Sequence, residues 1–296
     1  MTWFTTDDVD EFLAAAGAVL RSRPAENTVL LTVAETLRAR GSTAFGQAPP
    51  LMGWWHSADG SVGSAFLQTP PHPLLLTRSP GDAVASLAKT LAAVDRPLPG
   101  INAGDDAAET FAAEWRRRTG ATAEIRRRSR LYRLGDLVAP QPAIAGNARV
   151  VGAADRDLLL AWYESFGQEV GDISTNLTSV VDDRIDYGGL TLWEVDGAPV
   201  SMAGLTRPVA GMVRVAPVYT PARLRNRGYA AAVTAAVSRA ALDAGANDVV
   251  LFTDLANPTS NALYQRLGYR PVQDRVVMSF AVSAPDPQPN RRPRAL

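Results

Sequence analysis

Two stretches of this chain hold residue types in an order that chemistry can use. The first is Pro217-Val-Tyr-Thr-Pro-Ala-Arg-Leu-Arg-Asn-Arg-Gly-Tyr-Ala-Ala-Ala. It reads as a strand, a turn and a helix start, and the turn carries Arg225-x-x-Gly228-x-Ala230. Unpaired backbone N–H groups at a helix start point one way, and the helix dipole adds partial positive charge. Gly228 and Ala230 keep side chains short, while Arg223, Arg225 and Arg227 supply charge. The combination suits a pyrophosphate. The plain alternative is a helix start that happens to be small and basic. Pro217 adds a second hint. Proline has no N–H for a sheet ladder, so it marks a bulge or splay, or else an edge strand. Beyond a splay, the backbone groups of Val218, Tyr219 and Thr220 are free to pair with an extended, amide-bearing ligand.

The second stretch is Thr253-Asp-Leu-Ala-Asn-Pro-Thr-Ser-Asn-Ala-Leu-Tyr-Gln-Arg-Leu-Gly-Tyr. Asn257 followed by Pro258 reads as an N-cap and a first helical position. Asn257, Asn261 and Tyr264 fall at i, i+4 and i+7, on one face. Leu263 and Leu267 fall on another, the expected core face. Gly268 ends the helix. Read alone, Asn257 is a cap and Tyr264 a tyrosine at the core edge.

Together the two stretches resemble the GCN5-related N-acetyltransferase (GNAT) superfamily. Val218-Tyr-Thr-Pro precedes Arg225-x-x-Gly228-x-Ala230, and Asn257-Pro-x-Ser-Asn-x-x-Tyr264-x-x-x-Gly268-Tyr269 follows, with 39 residues from Arg225 to Tyr264. The resemblance covers 148–282 by motif and 1–135 by the order of elements alone. It implies acetyl-CoA as donor substrate and no metal. It implies that Val218, Tyr219 and Thr220 bind the pantetheine arm through backbone groups. Arg225, Asn226, Arg227, Gly228, Tyr229, Ala230 and Ala231 would surround the pyrophosphate, with Asn257 near the pantetheine. It implies Tyr264 as the group that protonates the departing thiolate. A neutral phenol, with a pKa of about 10, is loaded for that task at neutral pH.

The general base is left open. Many family members carry a carboxylate on the strand matching 211–219, but here that strand holds Arg214 and no acid. Glu169 is the first choice, just after the helix containing Trp162-Tyr-Glu-Ser-Phe166. Asp172, Glu194, Asp254 or a water chain are the alternatives.

These residues need a scaffold. Helical spacing is expected at 9–21, with a second helix opened by Pro24 and closed before Gly41. Hairpin strands flank Ser57-Ala58-Asp59-Gly60 and Asp196-Gly197. A long helix over 226–244, an apolar strand at 248–253, a helix near 258–267 and a strand near 271–282 complete the second half. Both halves read as two helices, three strands, helix, strand, helix, strand. An extra leading strand is expected in the second half alone. The expected class is α/β (α+β), as tandem GNAT-like folds, each with a mixed, mostly antiparallel sheet flanked by helices. The expected domains are a degenerate copy at 1–137, a linker at 138–147, a catalytic domain at 148–283 and a disordered tail at 284–296. In the first copy, Leu76-Thr-Arg-Ser-Pro-Gly-Asp82 lacks the phosphate motif, and Asp82 puts negative charge where a phosphate would sit.

Composition narrows the rest. The chain has 296 residues, 46% hydrophobic, with 30 basic and 30 acidic side chains. Zero net charge argues against an electrostatic drive toward nucleic acid or anionic membrane. The arginines of 116–133 then read as a solvated strand face. No cysteine is present, and His56 and His72 are the only histidines. Disulfides, thiolate metal sites and a cysteinyl acyl-enzyme are excluded, and a Ser-His-Asp triad nearly so. Direct attack by an amine in a ternary complex is the expected route. The expected acceptor is a primary amine of a small molecule or amino acid derivative. The expected setting is cytoplasmic, since no leader or apolar span is visible. A non-catalytic acyl-CoA-binding or sensor module is the alternative.

Overall fold

Asp8 sets the first helix. Its carboxylate accepts the backbone N–H groups of Asp10 and Glu11, as an N-cap should. A computed structural model of the chain describes residues 1–94, 96–171 and 176–281. The first half runs β1 (Thr2–Thr6), α1 (Val9–Arg21), α2 (Thr28–Arg40), β2 (Leu51–His56), β3 (Val62–Gln68) and β4 (Leu74–Leu76). It continues with α3 (Gly81–Ala92), β5 (Gly100–Ala103), α4 (Asp105–Thr119) and β6 (Thr122–Leu134). The second half runs β7 (Asn147–Val150), α5 (Arg156–Val170), α6 (Leu177–Asp186), β8 (Leu190–Val195), β9 (Ala198–Leu205) and β10 (Met212–Tyr219). It ends with α7 (Tyr229–Asp243), β11 (Asp248–Asp254), α8 (Pro258–Arg266) and β12 (Tyr269–Ala281).

Two expectations need correction. The first half has a leading strand after all, so the two halves share one order. β1 was hidden because only Trp3 of its five residues is buried, leaving no alternation to read. It pairs antiparallel with β2, Trp3 opposite Trp55. Pro24 does not open α2. The Asn27 N–H bonds the Arg23 carbonyl, and the Asn27 side chain bonds the Leu20 carbonyl, so a turn fills 23–27 and the helix starts at Thr28.

The twelve strands among the described residues form one sheet, in the order β1-β2-β3-β4-β5-β12-β6-β11-β10-β9-β8-β7. The last strand of each half is exchanged. β6, from the first half, pairs only with β11 and β12 of the second. β12, from the second half, pairs only with β5 and β6 of the first. Helices α4 and α8 therefore each cross over a strand that the other half supplies.

Arg275 of β12 fastens this exchange. It is 5% exposed and meets no carboxylate. Its guanidinium instead donates to Asn102 Oδ1 at 2.9 Å, the Asn102 carbonyl at 2.6 Å and the Leu76 carbonyl at 3.1 Å. Arg275→Met strands three buried acceptors, each worth about 1 kcal/mol or more. We expect it to cost about 3 kcal/mol in urea unfolding. A cost below 1 kcal/mol would show that the staple is not needed.

In the second half, α7 and α8 cover one sheet face, packing Val233, Val237 and Tyr264 on Val213, Val215 and Tyr269. α5 and α6 cover the other, with Leu159, Trp162 and Val181 on Leu192, Met202 and Tyr219. α2 of the first half reaches this second face too, where Thr28 bonds Met212 Sδ at 3.1 Å. Four of the five arginines of β6 are ion-paired: Arg126 with Glu124, Arg128 with Asp105, Arg130 with Asp274 and Arg133 with Asp248.

Candidate active site

Pro217 does interrupt the ladder. β10 pairs antiparallel with β9 at Val215 and again at Val218, with a register shift between them. On its other edge β10 pairs parallel with β11 only over 212–214, opposite 248–250. Beyond Arg214 the two strands part. β11 goes on pairing with β6 to Asp254, while β10 runs on to Tyr219 with no partner on that edge. Five residues of free strand edge make a wedge about 16 Å long. Val218, Tyr219 and the start of the turn at Thr220 line it. Ser201 Oγ takes up the Tyr219 carbonyl at 2.9 Å and contacts Thr220 Oγ1 at 2.8 Å, holding the strand end firm. Trp162 and Phe166 brace the Tyr219 ring from α5.

At the far end of the wedge the chain turns into α7. Asn226 and Gly228 both take positive φ, 64° and 82°. The first bond inside the helix runs from the Ala232 N–H to the Gly228 carbonyl. The N–H groups of Gly228, Tyr229, Ala230 and Ala231 precede it and are left for an outside acceptor. Gly228 serves a second purpose that the sequence did not show. A Cβ there would lie 2.5 Å from Cδ1 of Ile144, so the segment between the halves packs against this turn.

The three arginines behave differently. Arg223 and Arg227 are exposed and make no ion pair among the described residues. Arg225 donates through Nε to the Thr220 carbonyl at 2.9 Å, and through Nη2 to both carboxylate oxygens of Glu169 at 2.6 Å. The structure thus places Glu169 against Arg225, at the turn that precedes α7. Of the other carboxylates weighed as base, Glu194 is held by Arg149 at 2.8 Å. Asp254, at the end of β11, accepts the Ala256 N–H at 2.8 Å. Asp172 lies outside the described residues.

Helix α8 carries Tyr264, the expected proton donor. Asn257 caps it, Oδ1 accepting the Ser260 N–H at 3.0 Å. Asn261 bonds the carbonyls of Asp254 and Asn257 at 2.8 and 2.7 Å, which fixes the helix to the end of β11. Tyr132 of β6 donates to Asn261 Oδ1 and accepts from Gln265 Nε2, both at 2.9 Å. A first-half strand therefore sets the pose of this helix. Tyr264, and not Leu263, is the residue α8 buries, at 8% exposure. It packs in the same cluster as Val215 and Val218, under the wedge. Its hydroxyl has no hydrogen-bond partner among the described residues. Burial pushes its pKa up to about 12, so it stays protonated.

The corresponding turn of the first half borders a cleft of about 500 Å³, lined by Ser22, Arg23, Asn27, Thr77, Arg78 and Pro80. Asp82 sits in the first turn of α3. Among the described residues no three His, Cys, Asp or Glu side chains gather as metal ligands. No helix among them is long and apolar enough to cross a membrane.

Comparison with known proteins agrees with this geometry. The acetyltransferase (GNAT) family matches residues 156–269. An acetyltransferase from the GNAT family of Colwellia psychrerythraea is 10% identical, with a TM-score of 0.58 over 95% of this chain and 99% of that one. A GCN5-related N-acetyltransferase from Sphaerobacter thermophilus is 15% identical, with a TM-score of 0.59 over 94% and 95%. A tandem GNAT protein from the clavulanic acid biosynthesis pathway is 14% identical, with a TM-score of 0.54 over 97% of this chain and 100% of that one. At such identities the likeness shows the fold. No curated protein matches the sequence.

Proposed function

Given that the chain is a protein of the GNAT superfamily, with the family's domain in its second half, we propose that it is an acetyl-CoA-dependent N-acetyltransferase acting on a primary amine of a small molecule or amino acid derivative. The observation that carries this is the wedge between β10 and β11, with Tyr264 beneath it and the basic turn at its end. Its length of about 16 Å suits an extended arm, and its unpaired strand edge suits an arm bearing amides. The N–H groups of residues 228–231, with Arg223 and Arg227, suit the pyrophosphate of the same substrate. Asn257 stands at the start of α8, beside the end of β11, and is proposed to touch the arm.

The donor substrate supplies an activated thioester. The acceptor amine forms a bond to the acyl carbon, the carbon–sulfur bond breaks, and Tyr264 gives its proton to the departing sulfur. Backbone N–H groups of β10 near Val218 stabilise the charge that builds on the acyl oxygen. The ammonium proton of the acceptor leaves to water, and Tyr264 regains its proton from the same source; Glu169 and Glu194 are held by arginines. The test is thiol release from acetyl-CoA against a panel of amines. Binding of acetyl-CoA with no turnover for any acceptor would favour a sensor module instead, a reading that Arg214 in place of a strand carboxylate motivates.

Glu169 has a separate test. We propose that it competes with the pyrophosphate for Arg225. An exposed ion pair of this kind is worth about 0.2–1 kcal/mol. Glu169→Gln is therefore expected to tighten CoA binding by up to about fivefold in calorimetry. A loss of kcat of about 100-fold would return Glu169 to the role of base.

A further inference from the structure

Four arginines gather where the second half meets the first, and Asp183 of α6 is the carboxylate that pairs among them. It meets Arg40 of α2 at 2.5 Å and Arg207 at 2.9 Å. Arg184 donates to the backbone carbonyl of Leu205 and makes no ion pair among the described residues. Arg214 on β10 donates to Thr28 Oγ1 at 3.3 Å and likewise meets no carboxylate. The two are neighbours through one stretch of backbone. Tyr187 donates to that same Leu205 carbonyl at 2.8 Å, and the Thr206 N–H donates to the Arg214 carbonyl at 2.9 Å. Arg207 lies over the Tyr187 ring, 4.1 Å from its centroid.

A desolvated guanidinium with no counter-charge is costly, and an arriving anion relieves that cost. Burial and then the charge of Arg184 pull the Arg214 pKa down to about 10, so Arg214 stays charged at neutral pH. Beside them, on α5, the Tyr163 hydroxyl is buried and has no hydrogen-bond partner among the described residues. Burial pushes its pKa up to about 12, with the charge of Arg184 acting against the rise. It is a neutral donor waiting for an acceptor. Arg214 is also the last residue of β10 paired with β11, so it stands at the apex of the wedge.

We propose that Arg184, Arg214 and the Tyr163 hydroxyl bind an oxyanion, a carboxylate or a phosphate, on the acceptor. The acceptor is then an anionic amine with its acid group close to its amine, as in an amino acid, and not a polyamine. Guanidinium forks match both oxyanions in shape and charge. This rests on the acetyltransferase reading above, and its test separates the two.

The first measurement is acetylation of three matched amines: β-alanine, 2-aminoethylphosphonate and β-alaninamide. One or both anionic amines should show kcat/KM about 10-fold or more above the amide. The better of the two identifies the oxyanion. Arg214→Gln and Tyr163→Phe should erase that preference by raising KM for the anionic amine about 10-fold or more relative to the amide. Equal use of acid and amide, or a preference that survives both variants, would overturn the proposal. The second measurement needs no turnover. Calorimetry with glutarate and with inorganic phosphate should give binding, glutaramide should give none, and Arg214→Gln should abolish it. No anion binding to the wild-type protein would overturn the site even if amines are acetylated. Anion binding without acetylation of any amine would instead overturn the acetyltransferase reading. Tyr163→Phe removes a hydroxyl that bonds to no described residue, so it keeps the test sharp if Arg214→Gln does not fold.

Discussion

Tyr264→Phe is expected to lower kcat by about 10²- to 10³-fold without loosening the fold. A positioned general acid contributes about 10²- to 10⁴-fold. Here the phenol packs in one cluster with Val215 and Val218 under the wedge, and unlike Tyr132 and Tyr269 it has no hydrogen bond to a described residue. The structural side of the prediction is as definite. The hydroxyl bonds to no described residue, so its removal leaves no partner stranded. The ring keeps its packing in the core beneath the wedge. The variant should therefore melt close to the parent. The pH profile adds a check. With a pKa of about 12, Tyr264 puts no basic limb on kcat below about pH 11. Steady-state thiol release and thermal unfolding measure both sides. A variant with wild-type kcat would remove Tyr264 from the mechanism. A variant that lost stability along with activity would make it a packing residue.

Separating the halves is expected to abolish folding of each. The segment at 138–146 has no regular structure and invites a cut. Residues 1–137 alone would keep β6 but lose β11 and β12, both of its neighbours. Residues 147–296 alone would keep β12 but lose β5 and β6, both of its neighbours. Simple closure does not repair either piece. β12 runs antiparallel to β5 and to β6, so β6 lies parallel to β5 and would have to trade the antiparallel ladder for a new parallel one to fill the vacant slot. The unpaired edges would also recruit other chains. Each piece made alone should be insoluble or lack a cooperative unfolding transition, and making the two together should restore a soluble complex. Two pieces that each unfold cooperatively, with stability near that of the whole, would refute the exchange as a folding requirement.

How much of this was legible beforehand depends on the range of the interaction. Local signals read well. Pro217 announced a break in the ladder, and Asn257-Pro258 announced a capped helix, because each acts within a few residues. Tyr264 was found as a candidate, but its burial was not, since helical spacing ranked the leucines first. Long-range facts were out of reach. Nothing near Glu169 shows that Arg225, 56 residues on, would claim it. Arg214 was noticed as a missing acid, yet its neighbours Arg184, Tyr187 and Tyr163 come from two other helices and a helix end. Thr28 comes from the other half. The exchange left one trace, the matched length of β6 and β12 at 13 residues each, which is long for a strand that serves one half alone.

That exchange also bears on how such a chain can change with time. If the two halves descend from one duplicated segment, the quieter copy is locked in. Deleting it would remove the strand that aligns Asn261 and Gln265, and with them the helix carrying Tyr264. In that case the turn at 77–82 was free to change, but Tyr132 and the slot that Arg275 fills were not. The first half then cannot be dismissed, because β12 finds no ladder partner in its own half.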